Sequence, residues 1–214
     1  MPGVISSPNL RYTSNMKIPI GPLAILIFVL NFSGKSVLLP EPERISNTAK
    51  RSPEKEEDKE FIPWMHERML NWQDFQCAPQ RNTDAVASTS TSLGLAYQFD
   101  GRNLTYSITC KFSKTKSWGA LKTDYILAHE QGHFDVTEIY ARKLHHALAA
   151  YTVNPRTYKH DINRIYEKIV KEKEHLQNLY DGQSDHSRNR KVQANWAEII
   201  DALLEETEPY ADYP

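Results

Sequence analysis

From Asp124 to about Tyr151 the apolar positions fall at helical spacing. Tyr125, Ile126, Ala128, Phe134, Ile139 and Tyr140 form an inner surface, and Thr123 or Asp124 can cap the start. Asn154-Pro155 closes the connection, because the residue ahead of a proline is pushed out of the helical region. A second helix is predicted over Thr157–Tyr180. Tyr158, Ile162, Ile165, Tyr166, Ile169, Val170, His175, Leu176 and Leu179 point inward, and Lys168, Lys171, Glu172, Lys173 and Glu174 form the wet face. Asp181 to Ser187 reads as a polar turn. A third helix is predicted from Val192 to about Leu204, with Trp196, Ile199, Ile200, Leu203 and Leu204 inward, and the acidic residues after it are expected to fray.

Between Thr83 and Lys116 the period changes to two. Ala85 to Ser92 alternates roughly, and Leu93–Phe99 and Leu104–Phe112 read as strands joined by the turn Asp100-Gly101-Arg102-Asn103. In the second strand Leu104, Tyr106, Ile108, Cys110 and Phe112 share one face, and Thr105, Ser107, Thr109 and Lys111 share the other. The pattern predicts an α+β fold: a small antiparallel sheet packed on the helix that begins at Asp124, followed by two further helices. One strand must be an edge, and an open edge can pair with an extended peptide.

The N-terminal part is organised differently. Residues 1–36 are read as an extension carrying a signal peptide or membrane anchor: Met16-Lys17, then the apolar run Ile18 to Leu30, then Ser33, Gly34 and Ser36. The run is shorter than the ~20 residues of a spanning helix, which favours a secretory signal over an uncleaved anchor. Met16 is an alternative start. Residues 37–60 form a charged linker too poor in apolar side chains to bury a core. The folded domain is placed at 61–206 and an acidic tail at 207–214. Trp64, Trp72 and Phe75 read as core or docking residues.

A net charge of −1 gives no nucleic-acid footprint. The 2 cysteines, Cys77 and Cys110, are too few for a disulfide scaffold; they pair once in an oxidising compartment or stay as two buried thiols.

The chemistry concentrates at His129-Glu130-Gln131-Gly132-His133, which reads H-E-x-x-H early in the first helix. Residues four apart share a helix face, so both imidazoles can grip one divalent ion. Glu130 lies about 100° around the axis from His129, too far to join the ligands easily but close enough to take a proton from a water on the ion. Gly132 costs ~1 kcal/mol of helix propensity and leaves room for a close neighbour or a substrate. Zinc is the expected ion, and a catalytic zinc needs a third protein ligand and one open position. The longer pattern ending G-x-x-H is absent, with Val136 and Ile139 in its places. Glu138 lies roughly 140° from His133 and suits an (i, i+4) pair with Arg142 instead. The third ligand must come from a later element: His186, Asp185 or Asp181 in the polar turn, or Glu167, Glu172 or Glu174 on the second helix.

Several of these residues carry a family resemblance. Ser117-Trp118, His129-Glu130-Gln131-Gly132-His133-Phe134-Asp135, Glu138 and Ala141-Arg142-Lys143-Leu144 resemble the bacterial family catalogued as domain of unknown function 922, whose members are predicted to be secreted zinc-dependent proteases. The similarity extends back to Leu70-Asn71-Trp72-Gln73-Asp74-Phe75 and forward to Tyr180-Asp181-Gly182-Gln183-Ser184-Asp185-His186, Gln193 and Trp196, with Ser184 where a threonine is more usual. It favours His186 as the third ligand, ahead of Glu167 and Asp185, and it implies a zincin-like domain that hydrolyses peptide bonds.

The expectation is an exported, periplasmic or extracellular zinc metallopeptidase acting on a peptide or protein. His129, His133 and His186 would hold zinc, Glu130 would act as general base, Tyr180 would donate to the oxyanion, and Asp135 would orient a ligand histidine. Two rival readings use the same residues: a non-catalytic cell-envelope scaffold with a structural or degenerate metal site, and a zinc amidase acting on cell-wall peptides.

Overall fold

The computed structural model describes residues 60–214. The expected signal or anchor, the alternative start at Met16 and almost all of the linker lie outside the described residues.

The sheet follows the period-two pattern. Strands β1 (Phe61–Pro63), β3 (Thr91–Phe99) and β4 (Leu104–Ser113) form an antiparallel sheet in the order β1-β4-β3. The β3–β4 register pairs Leu93 with Cys110 and Leu95 with Ile108, which puts the apolar side chains of both strands on one face. The hairpin turn is closed by Asp100, whose Oδ1 accepts from the N–H of Arg102 (2.8 Å) and of Asn103 (2.7 Å). Gly101 supplies a φ of 94° there, a conformation that side chains resist. A second, two-stranded sheet pairs β2 (Ala87–Ser88) with β5 (Trp118–Gly119). The alternating stretch at Ala85 to Ser92 is thus split between β2 and the start of β3.

Helix α1 (Asp124–Ala149) is the centre of the domain. Thr123 caps it, its hydroxyl accepting from the Ile126 N–H at 3.2 Å. It packs on β3 and β4 and on both later helices. Phe134, Val136, Ile139, Ala141 and Leu144 are consequently fully buried, and so are the polar Thr137 and Glu138. Ala128, expected inward, is exposed.

Helix α2 (Tyr158–Ser184) runs one turn beyond the expected end at Tyr180. Asp181 is therefore a helical residue and not part of a loop. Helix α3 (Arg190–Thr207) is capped by Asn189 and buries Trp196 and Ile200. Leu179, Ile199 and His175, expected inward on α2 and α3, are exposed. Both outer helices touch the core along a stripe narrower than their apolar pattern. None of the helices among the described residues is long and apolar enough to cross a membrane.

The C-terminal residues do not fray. After a 3-10 turn at Glu208–Tyr210, the Tyr213 hydroxyl donates to Glu138 Oε2 at 2.7 Å and the Ile108 N–H donates to the Pro214 carbonyl at 2.7 Å. The expected Glu138–Arg142 pair is present at 2.8 Å and is buried. Phe75 is in the core, and Trp64 and Trp72 pack against it. Cys77 and Cys110 are both free thiols.

Candidate metal centre

Two helices present two pairs of side chains to one another. Helix α1 carries His129 and His133 one turn apart, their rings edge to face with centroids 4.9 Å apart. Helix α2 packs alongside and carries Gln177 and Asp181, also one turn apart. Asp181 Oδ1 lies 3.1 Å from His129 Nε2 and 3.0 Å from His133 Nε2. The ligand atoms of His129, His133 and Asp181 all lie within 4.8 Å of one another, and this cluster could hold a metal ion.

The electrostatics suit a cation. One carboxylate oxygen faces nitrogens of three imidazoles, since His186 Nδ1 is 3.5 Å from the same Asp181 Oδ1. Burial would raise the Asp181 carboxyl, but its contacts with the His129 and His133 rings outweigh it and hold the group well below the usual carboxylate range. Burial would lower the His133 imidazole, but Asp181 outweighs that too and the shift is upward. Three buried polar atoms at the site make no hydrogen bond: Thr89 Oγ1, His129 Nδ1 and Glu130 Oε2. Burial pushes the Glu130 carboxyl up, opposed by His133, the Thr89 hydroxyl and His129.

Glu130, His129, His133, Asp181 and His186 line one cleft of about 400 Å³. Its opposite wall is the chain from Ala85 to Thr89, which includes β2. The motif therefore faces an accessible space rather than the core.

His186 sits in an unusual backbone. Asp185, His186 and Ser187 have φ of 51°, 49° and 72°, three successive left-handed residues without a glycine. Each such residue costs roughly 1–2 kcal/mol and persists only where its surroundings enforce it. Here the Tyr125 hydroxyl donates to the Ser187 carbonyl at 2.6 Å and the His186 N–H donates to the Asp181 carbonyl at 2.9 Å. The turn curls the His186 ring, 56% exposed, back toward the end of α2.

Other expected residues lie elsewhere. The Tyr180 ring stacks against His129 behind the motif, and its hydroxyl donates to the His129 carbonyl at 3.3 Å. It does not line the cleft. Glu167 is exposed on α2 and Asp185 pairs with Arg188 at 3.4 Å; neither lines the cleft. Asp135 orients no histidine: its Oδ1 accepts from Trp64 Nε1 and Gln131 Nε2, each at 2.8 Å, and burial pushes its carboxyl up to about 6. The neighbour that Gly132 admits is Tyr180. Gln177 was not anticipated from the sequence, although its spacing from Asp181 repeats that of the two histidines.

No curated protein and no solved structure matches the chain. Residues 41–187, which carry the motif, Gln177, Asp181 and His186, match the family described as bacterial protein of unknown function (DUF922), and the chain belongs to that family.

Proposed function

We propose that the protein is a zinc-dependent metallopeptidase in which His129, His133 and Asp181 hold the ion and Glu130 is the general base. The observation that carries the reading is the position of Asp181 Oδ1, about 3 Å from the Nε2 of both motif histidines, beside Glu130 in an open cleft. Two imidazole nitrogens and a carboxylate oxygen are donors typical of catalytic zinc with one position left free. When bound, such an ion supplies Lewis-acid activation of a water and of a carbonyl.

The chain's own residues do the rest. Glu130, buried and with Oε2 unpaired, takes a proton from water and returns it to the leaving amine. His186 stands on the exposed side of Asp181, where its ring N–H can reach a developing oxyanion, the role earlier expected of Tyr180. The family resemblance puts His186 itself in the third ligand position, and the experiment separates the two. An exported location goes with this reading and rests on the sequence of residues 16–36: a basic start, an apolar run and small polar residues beyond it.

The test is elemental analysis of the full chain together with hydrolysis of an unfolded protein. About one zinc per chain is expected in the wild type and in Glu130→Gln, with loss in His133→Ala and Asp181→Asn. Hydrolysis is expected in the wild type and not in Glu130→Gln. A zinc-loaded Glu130→Gln that still cleaves would overturn the mechanism. Zinc lost from His186→Ala but kept by Asp181→Asn would return the third position to His186. Zinc binding with cleavage only of cell-wall peptides would favour the amidase, and zinc binding with no cleavage the scaffold.

A further inference from the structure

We infer that Gln177 is the positioning residue of this centre: it clamps His133 at both ends and fixes which ring nitrogen is free for a metal. The inference rests on the metal-binding reading above.

The hydrogen-bond roles follow from one another. The His133 carbonyl can only accept, so the group 2.9 Å from it is the Gln177 amide nitrogen, Nε2. The other end of the amide, Oε1, can only accept, and it meets His133 Nδ1. Nδ1 must therefore carry the proton. In a neutral imidazole this leaves Nε2 with its lone pair, and Nε2 is the atom that faces Asp181 Oδ1 at 3.0 Å. A lone pair and a carboxylate oxygen at that distance converge on one cation, a proton or a metal ion. The amide thus prepares the ring to act as a ligand and not as a donor.

The clamp is anchored to the sheet. Gln177 Nε2 also lies 3.4 Å from Thr137 Oγ1, which donates to the His133 carbonyl at 3.1 Å. The Thr91 hydroxyl of β3 meets Thr137 Oγ1 at 2.7 Å. A chain of polar contacts therefore runs from β3 through Thr137 and Gln177 to one ligand ring. His129 has no equivalent, since its Nδ1 is buried without a partner. The two histidines of the motif are held unequally, and His133 is the one whose orientation is built in.

The two ends of the amide separate by substitution. Gln177→Leu removes both; Gln177→Glu keeps the acceptor for Nδ1–H and loses the donor to the His133 carbonyl. Zinc affinity is measured on the full chain by competition with a chromogenic chelator, and Co²⁺ absorption reports the ligand geometry. Gln177→Leu is expected to weaken zinc by about 10–100-fold and to alter the Co²⁺ bands. Gln177→Glu is expected to recover most of that loss and restore the bands, although it loses thermal stability as Gln177→Leu does. Should Gln177→Leu not fold, Gln177→Met serves in its place. Equal stability losses in both variants with wild-type zinc affinity would reduce Gln177 to a structural role and overturn the inference alone. A wild type that binds no zinc would overturn it together with the metal-binding reading.

Discussion

The hydroxyl of Tyr180 lies against the bare backbone of Gly132, so that a single added Cβ would come within 2.8 Å of it. The Tyr180 ring cannot swing aside: it is 2% exposed and packs against His129, His133 and Trp196. Gly132→Ala gains ~1 kcal/mol of helix propensity but overpacks this contact, which typically costs about 1–3 kcal/mol. We expect a net destabilisation in urea unfolding, and a partial recovery in Gly132→Ala combined with Tyr180→Phe, which removes the nearest atom. Additive behaviour of the two substitutions would show that they do not meet.

Ser187 has φ 72° and is buried, the last of the three left-handed residues. Glycine adopts that conformation freely and a β-branched side chain does not. Ser187→Gly is expected to unfold within about 1 kcal/mol of the wild type, and Ser187→Val to lose ~2 kcal/mol or more. Because the turn aims His186 at Asp181, the valine variant should also hydrolyse more slowly while keeping its zinc. A valine variant as stable as the wild type would mean the turn is not enforced.

The Tyr213 hydroxyl supplies one of the hydrogen bonds that satisfy the buried Glu138 carboxylate, Arg142 supplying another. Tyr213→Phe keeps the ring and removes the donor, leaving a buried carboxylate oxygen short of a partner. The expected cost is about 1–3 kcal/mol in thermal or urea unfolding. No change would show that the tail is docked by its ring and backbone alone.

Cys110 is fully enclosed, and burial pushes its thiol well above the usual value, with Glu138 adding to the effect. The thiolate is the reactive form, so Cys110 should resist a thiol reagent until the domain unfolds. Cys77 is only partly covered and should react first in the folded state. Thiol titration of native and denatured protein, with Cys77→Ser and Cys110→Ser as references, checks the order.

Much of this was readable along the chain because it depends on neighbours a few residues apart. Strand alternation, the Asp100 turn, the Thr123 cap and the H-E-x-x-H spacing are such features. The buried Glu138–Arg142 pair was equally local, although its burial was not. Helix ends were less legible: the polar run at Asp181 to Ser184 looks like a loop, and it is helical because it continues α2 until the left-handed turn at Asp185 stops it.

The partners of the motif were a different matter. Which carboxylate meets His129 and His133 depends on the rotation of α2 against α1, a packing choice summed over many long-range contacts. That choice brings Asp181 and Gln177 to the two histidines, leaves Glu167 in solvent and turns Tyr180 behind the helix. The chain announces two histidines and a glutamate with the right spacing for a metal, because one turn of helix suffices to place them. The carboxylate that meets both rings and the amide that meets His133 come from residues some 44–52 positions away, and it takes the packed helices to bring them there.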